Sequence, residues 1–575
     1  MVGFSLVLIV VQVWLDLKLP DYMSEITKLT QTPNSPLKDI WLNGGYMTLC
    51  TLGSLVSAII VGYFAAKIGA SFSQRLRSLL FNKVESFSME QMNRFSTSSL
   101  ITRSTNDVTQ VQMLIVMALQ LVIKGPIMAI WAITKIAGEG FEWSMVTGIV
   151  ILILLLIVTF LMIFVSPEFR KMQSLTDNIT RVTRENLTGL RVVRAYNAES
   201  YQENKFESAN EELTNTQLIT NRAMVIMMPV MQLMMSCLSL AIYWIGAYLI
   251  NKASLLDKLT IFSNMVVFSN YAIQVIMSFM MLVMVFIMLP RVSVSVKRIN
   301  EVLDTEPTIV DGTQIEGLPG RTGDIEFNHV SFRYPNTSEY VLEDISFRAK
   351  HGQTVAFIGS TGSGKSTLIN LIPRFFDVTN GEILIDGVNV KNYKLESLLN
   401  KIGYVPQKAV LFKGTVMSNV AYGNDFEEPY KYEIYKRVIT SVNIAQGSEF
   451  IDKMEESYDS HIAQGGTNLS GGQKQRLSIA RAICRQPDIY IFDDSFSALD
   501  YKTDRILRSA LKKETSGITR LIVAQRIGTI MDADQIIVLD EGKIVGKGTH
   551  KELLNNCVVY REIAMSQLSE EELIS

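Results

Sequence analysis

The chain has 575 residues, which is enough for three or four domains of ordinary size. Its 54 Lys and Arg against 56 Asp and Glu leave a net charge of −2, so charge gives no reason to expect a nucleic-acid partner. Only 19% of the residues are charged and 48% are hydrophobic, which excludes a disordered chain. The four cysteines lie far apart without a CxxC pair, which disfavours a disulfide framework and a zinc site.

Six stretches are long and apolar enough to cross a bilayer as helices, which takes about 20 residues each. They are Met1–Leu19, Tyr46–Ala66, Met113–Ile133, Met145–Val165, Val225–Ile250 and Ile261–Leu289. The first is the weakest, and it lacks the basic lead-in and the cleavage site of a signal peptide. The sequence therefore predicts an all-α, six-helix transmembrane domain over residues 1–300.

The connections between the predicted spans differ in length and charge. Residues 67–108 and 167–224 are polar and helical in pattern, and together they carry 14 Lys and Arg. The short connections at 20–44, 134–144 and 251–260 carry five. The positive-inside rule then places both long loops and both termini in the cytoplasm. Since the loops show no apolar core pattern, we expect helices that continue beyond the bilayer and not separate soluble domains.

The second half of the chain has a different character. Residues 301–323 are polar and rich in Gly and Pro, which is typical of a linker. From residue 324 to 575, short β-rich runs alternate with helical stretches, which indicates a soluble α/β domain.

A phosphate-binding loop is predicted near the start of this domain. The apolar run Thr354–Ile358 leads into GSTGSGKST and then a helical stretch, so the G-x-x-x-x-G-K-[ST] pattern has its required strand–loop–helix setting. Backbone N–H groups and the helix dipole favour a phosphate there, Lys365 can reach the β- and γ-phosphates, and Ser366 offers a hydroxyl to Mg²⁺. The predicted nucleotide-binding residues are Gly359, Ser360, Thr361, Gly362, Ser363, Gly364, Lys365, Ser366 and Thr367.

Two further elements follow along the chain. The strand-like run Asp488–Asp494 ends in two carboxylates: Asp493 is placed to hold Mg²⁺ through water, and Asp494 stands where a hydrolytic base would be. Before it, LSGGQ opens a helical run and offers a second anion-binding element, although a pair of turn glycines is the alternative. Its residues are Leu469, Ser470, Gly471, Gly472 and Gln473.

In this order and spacing, the motifs resemble those of half-size ABC exporters, in which six transmembrane helices are fused to one ATP-binding cassette. Tyr334 in FRYP resembles the aromatic that stacks on adenine, and Gln407 in YVPQ resembles the glutamine that senses Mg²⁺ and the membrane domain. Ser497 and Asp500 in SALD resemble the D-loop, and LSGGQ resembles the signature that completes the ATP site of a second cassette.

The resemblance implies more than the motifs themselves show. It implies a RecA-like α/β P-loop cassette over residues 324–575, with ATP and Mg²⁺ as cofactors and with Ser366, Gln407 and Asp493 near the metal. It also implies a dimer in the cell membrane with its cassettes in the cytoplasm. The stretches Met92–Arg103 and Arg191–Ser200 resemble the loops that dock on the cassettes. Because the chain begins inside the first span, we expect the family's N-terminal elbow helix to be missing.

Three positions depart from the family pattern. Asp494 replaces the catalytic glutamate, Gln525 in VAQR replaces the switch histidine, and Gln464 in AQGG replaces a glutamate before the signature. Aspartate is one methylene shorter and Gln525 cannot titrate, so general-base assistance, worth about 10²–10⁴-fold, should be largely lost. With the signature intact, this pattern resembles the degenerate-site subunit of heterodimeric bacterial multidrug exporters. Its partner would carry the consensus Glu and His and a degenerate signature; a homodimer that tolerates aspartate is the alternative.

The transmembrane sequence gives a weaker indication of what is moved. Methionines recur on one face of the fifth and sixth spans, and flexible thioethers suit surfaces that accept many apolar shapes. Packing against neighbouring helices or lipid explains them equally well. Lys124 is the one clear charge near the middle of a span, and it either faces a cavity or snorkels to an interface. The candidate substrate-cavity residues are Lys124, Met231, Met277, Met281 and Met284.

The sequence thus predicts a subunit of an ATP-driven exporter of hydrophobic drugs or lipid-like compounds, with the lipid bilayer and a second half-transporter as partners. Two alternatives remain open: a homodimeric lipid or peptide exporter, and an ATP-gated channel or regulatory subunit.

Overall fold

The computed structural model describes residues 1–32, 35–136, 141–254, 257–335, 337–423 and 431–568, and it divides the chain into two units. The membrane unit comprises Met1–Val84 and Thr97–Asp304. The cassette unit comprises Glu85–Ser96 and Thr305–Ser575, so a short segment of the first long loop belongs with the cassette.

Six helical segments of the described chain are long and apolar enough to span a membrane, which confirms the predicted transmembrane helical domain. Several are much longer than a bilayer requires: the second, fourth and fifth have 49, 48 and 54 residues. At 1.5 Å per residue they measure about 70–80 Å, more than twice the hydrocarbon thickness of about 30 Å. The long polar loops are therefore continuations of these helices and not separate domains. The helices are α1 (Val2–Gln31), α2 (Leu37–Glu85), α3 (Met89–Arg94, in the cassette unit), α4 (Thr97–Thr102), α5 (Val108–Met117), α6 (Lys124–Ile136), α7 (Phe141–Thr188), α8 (Leu190–Ala195), α9 (Glu199–Lys252) and α10 (Asp257–Leu303).

The third span is not a regular helix. Two π-helical turns, Arg103–Asp107 and Ala118–Val122, separate α4, α5 and α6. At the second turn the Ile123 N–H donates to the Ala118 carbonyl at 3.2 Å, the i→i−5 bond of a π-bulge. Pro126 has no N–H, so it also removes the usual helical donor for the Val122 carbonyl.

The core of the membrane unit lies along α10, which packs against α1, α6 and α9. Its fully buried side chains include Phe268, Ala272, Val275 and Ile276. Because lipid is as apolar as these side chains, close packing and interhelical hydrogen bonds hold such a bundle together.

The cassette contains a six-stranded sheet of order β12-β11-β3-β10-β9-β6, in which β11, β3, β10, β9 and β6 run parallel and β12 is antiparallel at the edge. A four-stranded antiparallel sheet, β2-β1-β4-β5, and a two-stranded one, β7-β8, complete it. The strands are β1 (Ile325–Phe332), β2 (Leu342–Ala349), β3 (Thr354–Gly359), β4 (Asn380–Ile385), β5 (Val388–Asn389), β6 (Ile402–Val405), β7 (Gly414–Thr415), β8 (His461–Ile462), β9 (Ile489–Asp493), β10 (Thr519–Val523), β11 (Gln535–Asp540) and β12 (Lys543–Gly548).

Helices cover the parallel sheet, as they must where both faces of the strands are apolar. All five residues of β9 and all five of β10 are buried. The helices are α11 (Lys365–Asn370), α12 (Leu395–Asn400), α13 (Val416–Val420), α14 (Lys431–Ile444), α15 (Ser448–Ile451), α16 (Gly471–Cys484), α17 (Tyr501–Glu514), α18 (His550–Asn556) and α19 (Val558–Met565). The predicted α/β cassette is confirmed, and α10 extends to Leu303, so the irregular segment before β1 begins at Asp304.

Candidate nucleotide site

Three loops meet at one edge of the parallel sheet. β3, β10 and β9 are neighbours in the sheet, so the segments that follow their carboxyl ends lie side by side. The phosphate-binding loop follows β3, the carboxylates Asp493 and Asp494 end β9, and Gln525 follows β10. Ligands of open α/β sheets bind at this edge, so the topology brings together groups that are 130 to 160 residues apart in sequence.

Glycines make the phosphate-binding loop possible. Gly364 caps the start of α11 at φ 93°, a left-handed conformation that a side chain would strain. At Gly359 an added Cβ would lie 1.9 Å from the Leu539 carbonyl oxygen, so the loop leaves β3 only because no side chain is there. The backbone N–H groups at the first turn of α11 can then face a phosphate, while the Ser363 N–H donates to the Ser360 carbonyl at 3.2 Å.

Lys365 and Ser366 lie at the first turn of α11, the positions at which the sequence predicts contacts to phosphate and Mg²⁺. The ammonium of Lys365 donates to the carbonyls of Gly359 at 2.9 Å and Ser360 at 2.6 Å, folded over its own loop. Burial lowers the pKa of Lys365, with Asp494 and Asp493 opposing that shift. The desolvated ammonium gains charge stabilisation when phosphate oxygens replace the carbonyls.

The Ser366 hydroxyl donates to Asp493 Oδ1 at 3.0 Å, so an alcohol and a carboxylate oxygen face one point. Hard oxygen ligands of this kind suit Mg²⁺, which binds few protein groups and keeps several waters and phosphate oxygens. Burial, joined by the neighbouring Asp494, raises the pKa of Asp493. The residues therefore fit the expected metal, which would neutralise phosphate charge.

Asp494 is held in a fixed position. Its Oδ2 atom accepts hydrogen bonds from Gln525 Nε2 at 2.7 Å and from Gln407 Nε2 at 3.2 Å. Its backbone is in the left-handed region at φ 46°, and its N–H donates to the Val523 carbonyl at 3.0 Å. Burial raises the pKa of Asp494 despite the hydrogen bond from Gln407. The two departures from the family pattern, Asp494 and Gln525, thus contact each other directly.

Tyr334 lies beside the phosphate-binding loop, and its hydroxyl is 3.0 Å from Thr367 Oγ1. It packs edge-on against Phe332 and Phe376. Together they line a cavity of about 370 Å³ that also includes Ser88 and Glu90 from the segment around α3. The aromatic predicted to stack on adenine therefore borders a cavity large enough for a base.

The signature and the D-loop are built as helix starts. Ser470 caps α16: its Oγ accepts from the Gln473 N–H at 3.3 Å, and its own N–H donates to Gln473 Oε1 at 2.8 Å. Asp500 caps α17 through the Thr503 N–H at 2.9 Å. The Ser497 hydroxyl donates to the Asp494 carbonyl at 2.9 Å, which connects the D-loop to the end of β9. Gln464 is exposed and begins a short 3₁₀ turn before the signature.

The membrane candidates differ in exposure. Met231 is buried in the helical core at 4% exposure, whereas Met277 is 39% exposed. Met281 is half-buried, and the side chain of Met284 lies outside the described residues.

Lys124 makes an ion pair. Its Nζ lies 3.0 Å from Asp16 Oδ2 on α1, with side-chain exposures of 17% and 20%. The Ser54 hydroxyl of α2 donates to the other oxygen of Asp16. The sequence did not predict this partner, although Asp16 lies near the end of the first predicted span.

Sequence reasoning missed these partners and one residue of the cassette. Asp16 sits in the weakest predicted span, and nothing local to it indicates a lysine 108 residues away. Gln567 contacts the segment around Gln525, and a lone glutamine near the end of a chain carries no motif.

Comparison with known proteins is consistent with this geometry. A family model described as ABC transporter transmembrane region matches residues 2–279, and one described as ABC transporter matches residues 342–497. An uncharacterised ABC transporter ATP-binding protein of Mycobacterium tuberculosis is 38% identical over 91% of this chain and 87% of its own length. The chain belongs to the ABC transporter family.

Two other matches indicate which kind of ABC transporter this chain is. The ATP-dependent lipid A-core flippase of Pseudomonas aeruginosa is 32% identical over 87% of this ABC transporter and 80% of its own length. A bacterial Atm1-family ABC exporter solved with ATP bound has a TM-score of 0.84 at 23% identity, covering 99% of this chain and 98% of that one. The ABC transporter is thus an ATP-driven half-size exporter, with membrane-spanning helices and an ATP-binding cassette in the cytoplasm.

Substituting Asp493 should have opposite effects on two quantities: the stability of the fold without nucleotide and the affinity for ATP with Mg²⁺. Because burial raises its pKa, the ionised carboxylate destabilises the fold at pH 7, and this cost fades as pH falls through the raised pKa towards 3.8. Asp493→Asn still accepts from Ser366, so we expect a thermal midpoint a few degrees higher at pH 7 and a smaller gain near pH 4. We expect Mg²⁺-dependent ATP affinity to fall roughly 10–100-fold. Calorimetry and nucleotide titration measure both; a gain that grows on acidification would contradict the assignment.

The Asp16–Lys124 ion pair predicts that substitutions at the two positions change the free energy of unfolding non-additively. Lys124→Met leaves Asp16 without its counter-charge, so we expect a loss of about 2 kcal/mol or more in unfolding free energy. Adding Asp16→Asn removes the stranded charge, so the double variant should recover at least half of that loss. Denaturation in detergent micelles measures both variants. Equal losses in the single and double variants would show that the pair contributes nothing beyond the packing of Lys124.

Proposed function

We propose that this ABC exporter is one subunit of a heterodimeric pump, whose own ATP site hydrolyses slowly while its signature completes the site of a partner subunit. One observation carries this proposal: the carboxylate at the base position is shorter than glutamate and accepts two amide hydrogen bonds on one oxygen. Both amides are permanent donors, so they hold the carboxylate in place but cannot accept a proton from it, as a histidine at the position of Gln525 could.

Nucleotide binding is independent of this defect. The glycine loop, Lys365, Ser366 and Asp493 bind and orient the triphosphate and its Mg²⁺, and none of them departs from the motif. The chain therefore keeps the groups that bind ATP and lacks those that activate water. A site of this kind holds ATP for longer than one catalytic cycle and keeps two cassettes together.

The signature supports the second half of the proposal. Ser470 and Gln473 form a complete capping box at the start of α16, so the helix end and its glycines are preorganised for a phosphate. An added Cβ at Gly471 would meet nothing within 4 Å, which leaves the backbone open to approach. A partner with consensus Glu and His would then carry most of the turnover.

Hydrophobic drugs or lipid-like compounds fit the membrane unit best. Lys124 is neutralised by Asp16, and the exposed Met277 offers an adaptable apolar surface. The Pseudomonas relative is a lipid A-core flippase, which favours a lipid-like substrate. A homodimeric lipid exporter is the second candidate.

ATP hydrolysis by the purified chain tests the slow site. We expect the chain alone, in lipid nanodiscs, to hydrolyse ATP slowly, and Asp494→Glu with Gln525→His to raise the rate about 100-fold by restoring the general base. Asp488→Glu adds the same methylene at the opposite end of β9 and should leave the rate unchanged. Brisk hydrolysis by the wild-type chain alone would reject the slow-site proposal and favour the homodimer.

Substrate class is tested in proteoliposomes. With its partner subunit, we expect the chain to move a fluorescent phospholipid between leaflets in an ATP-dependent manner, and the Lys365→Ala variant to lose this activity with the loss of its phosphate contact. Transport of a hydrophilic peptide but not of the lipid would contradict the substrate assignment. Passive lipid or ion flow that needs ATP binding without hydrolysis at either site would favour a gated channel.

A further inference from the structure

The end of the described chain contacts the segment that carries Gln525. Gln567 follows α19, and its side chain makes two hydrogen bonds to backbone groups on either side of Arg526. Its Oε1 accepts from the Ile527 N–H at 2.8 Å, and its Nε2 donates to the Gln525 carbonyl at 2.8 Å. One amide side chain thus fixes two peptide groups that follow β10.

Gln567 is exposed, and the helix before it is anchored in the core. Tyr560 and Ala564 of α19 are fully buried, and the Tyr560 hydroxyl lies 2.7 Å from His550 Nδ1. Leu568, the next residue, packs against the same apolar cluster that contains Ile527. Ile527 is buried in this cluster and Leu568 is half-buried against it, so the contact joins two segments that pack on the same core.

The side chain of Gln567 is not needed to cap the end of α19. The last carbonyls of the helix already accept from backbone N–H groups: Ser566 donates to Glu562, and Leu568 donates to Ala564 at 3.0 Å. The Gln567 amide is therefore available for the segment after β10. Both of its hydrogen-bonding ends are used there.

The contact leads directly to the catalytic carboxylate. Gln567 holds the backbone of Gln525, and the side chain of Gln525 donates to Asp494 Oδ2 at 2.7 Å. Asp494 is in turn fixed to the end of β10 through the Val523 carbonyl. Three residues distant in sequence thus form one continuous path from the C-terminal helix to the position of the hydrolytic base.

We propose that Gln567 is a positioning residue for ATP hydrolysis: its side-chain amide sets the segment Gln525–Ile527, and through Gln525 it sets the orientation of the Asp494 carboxylate. The C-terminal segment of the cassette is then a control point, because displacing it releases the switch segment without touching the nucleotide-binding loop. The positioning role of Gln567 goes beyond the proposed slow site, since it applies whether ATP is hydrolysed quickly or slowly at the site that contains Asp494.

Hydrogen exchange and kinetics test the proposal together. In the full chain in nanodiscs, Gln567→Ala should speed amide exchange at Ile527 at least tenfold. It should also lower kcat for ATP about tenfold, since small misplacements of catalytic groups cost up to about 100-fold, and leave KM within twofold. Ser566→Ala removes a hydroxyl that bonds only locally, to the Ile563 carbonyl, and should change neither quantity. Gln567→Glu keeps the acceptor and loses the donor, so its kcat should be intermediate.

A double-variant cycle distinguishes positioning from general support of the fold. If Gln567 acts through Gln525, Gln567→Ala should lower kcat little further in a Gln525→Ala background. Unchanged exchange at Ile527, an unchanged kcat, or fully additive losses would each overturn the proposal. Fast wild-type hydrolysis would reject only the slow-site proposal, because here each variant is compared with its own parent in the same preparation.

Discussion

The carboxylate of Asp494 is held by two amides in a nearly water-free position, and the chemistry of the cassette depends on that constraint. The side chain is 8% exposed, and Gln407 and Gln525 donate to the same oxygen. A buried carboxylate needs such donors, because an unpaired one costs several kcal/mol. The amides of Gln407 and Gln525 cannot accept a proton, so they fix the Asp494 carboxylate but do not help it to remove a proton from water.

The sheet supplies the geometry that makes this constraint possible. The donor Gln407 comes after β6 and the donor Gln525 after β10, while Asp494 ends β9 between those two strands. Because β9 and β10 are buried along their whole length, their ends cannot shift without breaking the core. The predicted nucleotide-binding groups after β3 and the predicted hydrolytic group after β9 are thus placed by one sheet, and each can be substituted without the other.

Much of this could be predicted from the sequence because the signals are local. The glycine loop, the carboxylate pair after a β-run and the signature each occupy a few consecutive residues, and six apolar runs gave six spans. What escaped prediction depends on pairing across the fold. The Asp16–Lys124 ion pair joins two helices, and Gln567 reaches Gln525 from 42 residues away. The π-helical turns of the third span also escaped prediction, because their sequence reads as ordinary helix.

The most direct test of the slow site follows the fate of bound nucleotide. The wild-type chain is loaded with ATP and Mg²⁺ in nanodiscs, freed of unbound nucleotide, and assayed over time for the ratio of ATP to ADP that it retains. We predict that intact ATP remains bound long after a consensus site would have turned over, and that Asp494→Glu with Gln525→His converts it to ADP. Rapid appearance of ADP in the wild-type chain would contradict the account.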